Sequence, residues 1–374
     1  MIHVITLPEK LRKVLERTVK ELAAKENVYG VGLFGSWSRG DAETSSDVDL
    51  FILDRDDFAY EYVERVERGG FLIDLNHVPR RWIQGQIPPE IDQKLYEAQI
   101  LYDRDWALTN TKLLMAKSYS SPERVDIRTD AHVVESDIYL SRATSALSRH
   151  DFRSSHLFAT VAFENALKVL VEIALQPFSN SRFMETAENA EAKLGMHNLF
   201  DEYVVMTGFG RVDKIQARDR LRLFKNVWDD VNAAAKENLQ TLESAHFKVR
   251  TRLSYYLNPG FLQGVVKRAS AMIEAERTVE AVHYLNDIVL DLVENYAWLK
   301  SLIDKVKIDY TTLIRSLEGL EEKNSANYRN ITTILGLDTI DRIVATKEID
   351  ETREAMLRVR RDRKLLIKNH LLKT

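Results

Sequence analysis

Phe34-Gly35-Ser36-Trp37-Ser38-Arg39-Gly40-Asp41-Ala42-Glu43-Thr44-Ser45-Ser46-Asp47-Val48-Asp49-Leu50 is the stretch whose reading decides the fold. It follows residues 28–34, a β-branched, apolar, glycine-containing run that reads as a buried strand. The strand ends in Gly35-Ser36, where a helix is expected to begin. Gly35 lets backbone approach a phosphate closely, and the exposed N–H groups there suit an anion. Ser36 adds a hydroxyl donor and Arg39 a cation one turn on. The chain then returns as a second strand, 48–53, opening on Asp47-Val48-Asp49. Residues i and i+2 of a strand face the same side, so Asp47 and Asp49 are expected to point together toward the turn.

Two carboxylates held that close repel unless a cation sits between them. Mg²⁺ suits them, because it takes carboxylate oxygens together with phosphate oxygens. Phosphoryl transfer asks for little else: charge neutralised on the phosphates and an attacking oxygen aligned with its leaving group. A third carboxylate is expected on a neighbouring strand. Asp74, in Phe71-Leu72-Ile73-Asp74-Leu75, is a charged residue inside an apolar strand, 71–78, and is the best candidate. It could share a metal and lower the pKa of an acceptor hydroxyl.

Working outward, 374 residues predict two or three domains. A net charge of −4 argues against a polycation built for nucleic acid. The absence of cysteine excludes disulfides, thiolate zinc sites and a cysteine nucleophile. No apolar run of about 18 residues and no signal-type N-terminus is seen, which predicts no membrane association and a cytoplasmic location. Leu11, Val14, Leu15, Val19 and Leu22 recur at helical spacing behind Thr6 as N-cap. Residues 56–68 read as a helix, Gly69-Gly70 as a turn, 90–98 as a short helix and 100–102 as a short extended piece. From about residue 126 helical periodicity dominates, over 135–148, 153–175, 183–194, 221–243 and 265–305, the last broken at least once. The fold expected is α+β: a small mixed-sheet domain over 1–118, a helical bundle over 119–260 and a further helical region over 261–374. That last region carries a basic tail, 353–374, with Arg358, Arg360, Arg361, Arg363, Lys364 and Lys368.

Gly35-Ser36, ten intervening residues, then Asp47-Val48-Asp49 resembles the signature of the DNA polymerase beta-like nucleotidyltransferase superfamily. The Gly35-Ser36-x-x-Arg39-Gly40 start and the Ser46-Asp47-Val48-Asp49 end look most like the branch of kanamycin nucleotidyltransferase and the minimal antitoxin-type enzymes. Tyr102-Asp103-Arg104-Asp105 is similar to the stretch that closes the catalytic domain there, so the resemblance covers roughly the first 118 residues. It implies that Gly35 and Ser36 bind NTP phosphates, that Asp47 and Asp49 hold the metals, and that Asp74 helps to activate the acceptor. Two Mg²⁺ ions and an NTP, with ATP the first choice, are then expected, and a nucleoside monophosphate would pass to a hydroxyl acceptor with release of pyrophosphate. The acceptor stays open among a small molecule, a protein and an RNA end. The helical remainder is similar to the C-terminal bundle of kanamycin nucleotidyltransferase and to HEPN helical domains. An antitoxin-like or noncatalytic nucleotide-binding role is the alternative, and the protein partner expected is a second copy in a homodimer or a toxin-like helical protein.

Each residue alone has a bland reading: Gly35-Ser36 an ordinary turn, Asp47 and Asp49 a solvated strand end, Asp74 a backbone-bonded aspartate, Arg39 a surface ion pair. Their joint spacing favours the site. His77, His150 and His156 are expected to be structural. Arg149 and His156 have the loose spacing of HEPN ribonucleases but lie in or near the wrong helix. Trp82 and Trp106 are expected to pack against the sheet or a domain junction. Glu164, in an otherwise apolar helix, is expected to make an interhelical hydrogen bond, with a second general base the competing role. The basic tail is either a solvated helix face or an RNA or partner contact.

Overall fold

The structure, a computed structural model, describes residues 7–321 and 325–372. Helices run α1 Glu9–Ala23, α2 Gly35–Arg39, α3 Asp92–Glu97, α4 Ala107–Ser118, α5 Pro122–Ser148, α6 Phe152–Ile173, α7 Phe183–Leu194 and α8 Leu199–Thr207. They continue as α9 Lys214–Glu237, α10 Leu239–Ser244, α11 Phe247–Tyr256, α12 Pro259–Glu274, α13 Thr278–Asp304, α14 Leu313–Leu320, α15 Ala326–Ile334 and α16 Arg342–Leu371. Strands are β1 Val28–Phe34, β2 Val48–Asp54, β3 Tyr62–Arg68, β4 Phe71–Pro79 and β5 Gln99–Asp103. The fold is α+β, a five-stranded mixed sheet with flanking helices followed by a large helical region. Two compact units result: Met1–Tyr119 with His246–Arg268, and Ser120–Ala245 with Ala269–Thr374. The segment His246–Arg268, which the sequence reading divides between its second and third regions, belongs with the sheet.

In the first unit the strand order is β3-β4-β2-β1-β5, with β2 and β4 parallel and every other pair antiparallel. The period of two sorts side chains between faces. Val48, Leu50 and Ile52 of β2 and Ile73 and Leu75 of β4 join Leu11, Leu15 and Leu22 of α1 in one apolar core. Asp49 and Asp74 therefore fall on the opposite face, and the register sets them side by side. The helix α1 begins at Glu9 behind Pro8, which makes no side-chain cap; Thr6, expected as its N-cap, lies outside the described residues.

One expected element is wrong. Residues 56–68 are not a helix: Tyr62–Arg68 is β3, an edge strand antiparallel to β4. Gly69 and Gly70, at φ +59° and +83°, make the left-handed two-residue turn that joins the two strands. The turn at Gly69-Gly70 therefore closes a hairpin where a helix was expected. As a consequence Arg65 is set opposite Asp74.

In the second unit α5 and α6 form a long helical pair, and α16 packs on both. Ser121 caps α5 through the N–H of Arg124, and Asp151 caps α6 through that of Ser154. The stretch expected as one broken helix, 265–305, is divided between α12 and α13 by a break at 275–277, and α9 runs on to Glu237 before α10. Among the described residues no helix is long and apolar enough to cross a membrane.

Candidate active site

The register sets Arg65, Asp74 and Asp49 in one row across β3, β4 and β2. Directly opposed side chains in such a row stand roughly 5 Å apart. Asp47, just before β2, completes the group. All three sequence-predicted carboxylates are thus brought together on one face of the sheet.

Cations already answer two of the three. Arg65, buried, donates from Nε to Asp74 Oδ1 at 2.6 Å and from Nη2 to Asp74 Oδ2 at 2.5 Å. The same Nη2 donates to Asp47 Oδ2 at 2.6 Å. Arg268, on α12, donates to Asp47 Oδ1 at 2.5 Å. The Tyr255 hydroxyl, from α11, donates to Asp74 Oδ2 at 2.8 Å. Asp49 makes no hydrogen bond or ion pair among the described residues. Burial, then the neighbouring Asp47 and Asp74, push its carboxyl well above the ordinary range. Burial also works against a charged Asp47, yet Arg268 and Arg65 outweigh it and hold that carboxyl below its usual value.

The Arg65 guanidinium is fixed from several directions. It lies 5.2 Å from the Tyr255 ring and 5.4 Å from the Phe261 ring. Its backbone oxygen accepts from the Asn258 side chain at 3.0 Å. Gly264 leaves it room: a Cβ there would stand 2.8 Å from Arg65 Nη1.

The turn at Gly35 faces the same group. Its φ of +74° is left-handed, and a Cβ would stand 2.6 Å from Asp49 Oδ2, so only glycine fits. The Gly35 N–H donates to Glu97 Oε2 at 3.1 Å. That oxygen also accepts from Arg39 Nη1 at 2.8 Å. Arg39 further pairs with Asp41 at 3.3 Å. Arg39, predicted to meet phosphate, is thus tied to two carboxylates, while the partly exposed Ser36 hydroxyl has no hydrogen-bond partner among the described residues. Burial raises the Glu97 carboxyl above its ordinary value, against the pull of Arg39.

Three hard carboxylate groups on one face fit a divalent ion chemically, and two of them, Asp47 and Asp74, already share the cationic Arg65 Nη2. Sequence reasoning missed Arg65, Glu97, Tyr255 and Arg268. Only Arg65 had a local signal, the Gly69-Gly70 turn that follows its segment.

Other expectations are settled by their surroundings. His77, buried, is bonded to Asp54 and stacked on Tyr62. His156 is bonded to Glu348 at 2.7 Å and Arg149 to Asp309. Trp106 is not packed as expected but 69% exposed. In the basic tail, Arg358 pairs with Glu202, Arg360 with Asp137, and Arg363 with Asp126 and Asp130. These three arginines are paired with carboxylates inside the second unit. Glu164 does sit among other helices' side chains: it accepts from Lys168 at 2.7 Å and from Tyr203 at 3.2 Å, and lies 3.4 Å from His283.

Residues 14–103 match the family model of the nucleotidyltransferase domain. A solved structure of a nucleotidyltransferase-like protein from Exiguobacterium sibiricum 255-15 aligns with 79% of this chain and 90% of that one. At 14% identity and a TM-score of 0.32 that likeness carries no further argument. No curated protein matches the chain.

Proposed function

We propose that this protein is a metal-dependent nucleotidyltransferase that moves a nucleoside monophosphate from an NTP, ATP in the first instance, to a hydroxyl acceptor. The observation that carries the reading is the convergence of Asp47, Asp49 and Asp74 on one sheet face beside the Gly35 turn. Asp47 and Asp49 would hold Mg²⁺, with Asp74 the third member of the set. Mg²⁺ would supply charge neutralisation on the phosphates. Gly35, Ser36 and, once released from Glu97, Arg39 would hold the triphosphate. The acceptor oxygen bonds to the α-phosphorus, the bond to the β-phosphate breaks, pyrophosphate leaves, and the acceptor's proton passes to a carboxylate of the cluster. The reading puts the reaction in the cytoplasm, where NTP is supplied.

The test is incubation with α-labelled NTPs, Mg²⁺ and separate metabolite, protein and RNA fractions. Label should enter one fraction, and Asp47→Asn should abolish it with the circular dichroism spectrum unchanged. Transfer by the variant at the parent rate would remove Asp47 from the chemistry.

One observation favours a second reading, a noncatalytic nucleotide-binding or antitoxin-like partner: both oxygens of Asp74 are already held, by Arg65 and Tyr255. NTP binding without transfer to any fraction, together with a stable complex with a helical partner, would favour it.

A further inference from the structure

The charges around the three carboxylates do not balance, and the imbalance is local. Asp47, Asp49 and Asp74 bring three carboxyl groups, while Arg65 and Arg268 pair with only two of them. The two arginines are spent on Asp47 and Asp74. Asp49 is left with none, and it is also partly exposed.

The two arginines differ in how they are held. Arg65 is 3% exposed at its side chain, makes a bidentate bond to the residue opposite it on the next strand, and is walled by Tyr255, Phe261 and Gly264. Removing it from Asp74 would strand a buried carboxylate, which is strongly unfavourable. Arg268 is 17% exposed and meets the group through Asp47 Oδ1. It stands one turn beyond Gly264 on the same helix. Its neighbour Lys267 donates to the Thr44 backbone oxygen, so this turn of α12 is laid along the loop before β2.

We infer that Arg65 is a resident cation of the site. The cluster therefore admits a single divalent ion, between Asp47 and Asp49, and Arg268 is the group that ion displaces. Two ions, the number expected from the sequence, would require Arg65 to leave its bed. The inference rests on the proposed function for its use of metal, but its test is binding and not turnover.

The experiment is Mn²⁺ binding to the full chain, followed by the loss of the free-ion electron paramagnetic resonance signal. The ions of this site are those lost in Asp49→Asn, which sets aside Mn²⁺ bound elsewhere. The expected result is one ion per chain. Arg268→Gln should keep that number and tighten binding by about tenfold or more, since the competing cation is gone. Arg268→Lys, which keeps the charge, should stay near the parent affinity, so a packing effect is separated from a charge effect. Two ions per chain lost in Asp49→Asn, or no tightening in Arg268→Gln, would overturn the inference, as would failure of both the parent and Arg268→Gln to bind Mn²⁺ at this site. Parallel label-transfer assays keep the two claims apart. Transfer with two ions bound refutes the resident arginine and leaves the enzyme standing, whereas one ion tightened by Arg268→Gln without transfer does the reverse.

Discussion

Replacing Arg65 by Gln removes the cation that Asp74 and Asp47 share. Asp74, 7% exposed at its side chain, would keep the Tyr255 hydroxyl, and Asp47 would keep Arg268 as its cation. Breaking one partner of a buried ion pair costs on the order of 3–5 kcal/mol, because the remaining charge is left dry and unpaired. The double change Arg65→Met with Asp74→Leu removes both charges. It should recover most of that loss, since apolar pairs of similar volume are often as stable as the ions they replace. Two compact units do not guarantee a single unfolding transition, so the readout is hydrogen exchange in peptides covering residues 62–79. A loss of 3–5 kcal/mol accelerates exchange there by roughly a hundred- to several-thousandfold. Acceleration below tenfold in Arg65→Gln would refute the reasoning, as would a double variant no more protected than the single one.

Gly35→Ala should cost about 1–3 kcal/mol for the left-handed backbone alone and should also push the Asp49 carboxylate away; exchange protection of β1 and β2 checks the first effect and Mn²⁺ affinity the second. Gly264→Val should loosen the seat of Arg65, seen as faster exchange in β3 and β4 with the second unit's protection unchanged. In the second unit, burial opposes a charged His283, but Asp287, Glu164 and Glu280 outweigh it and hold the imidazole at about 9. A folded-state value above the unfolded one stabilises below the unfolded pKa of about 6.5 and fades as pH rises to about 9. The stability difference between the parent and His283→Gln should therefore shrink across that window in urea titrations. A difference that grows with pH would show His283 to be neutral in the fold.

The main elements were legible where a period is enforced by one buried face. The helix α1 announces itself through Leu11, Leu15 and Leu22, and β2 and β4 through short apolar runs. β3 was hidden because an edge strand bearing Glu64, Arg65, Glu67 and Arg68 has one solvated face, and charges at those intervals also suit a helix. Its tell was the glycine pair that follows, which fits a tight hairpin better than a helix end. Glu97 gave no signal, because its role depends on reaching the Gly35 amide 62 residues away.

By itself the sequence determined the turn, Asp47 and Asp49 at the start of β2 and a third aspartate within an apolar strand, because strand alternation carries such residues to one face whatever surrounds them. Only the tertiary structure decided which charges answer them. Arg65 meets Asp74 through an antiparallel register, and Tyr255 and Arg268 arrive from 181 and 221 residues away along the chain. Coulomb attraction depends on distance in space and on burial, neither of which is written in the spacing of residues along the chain.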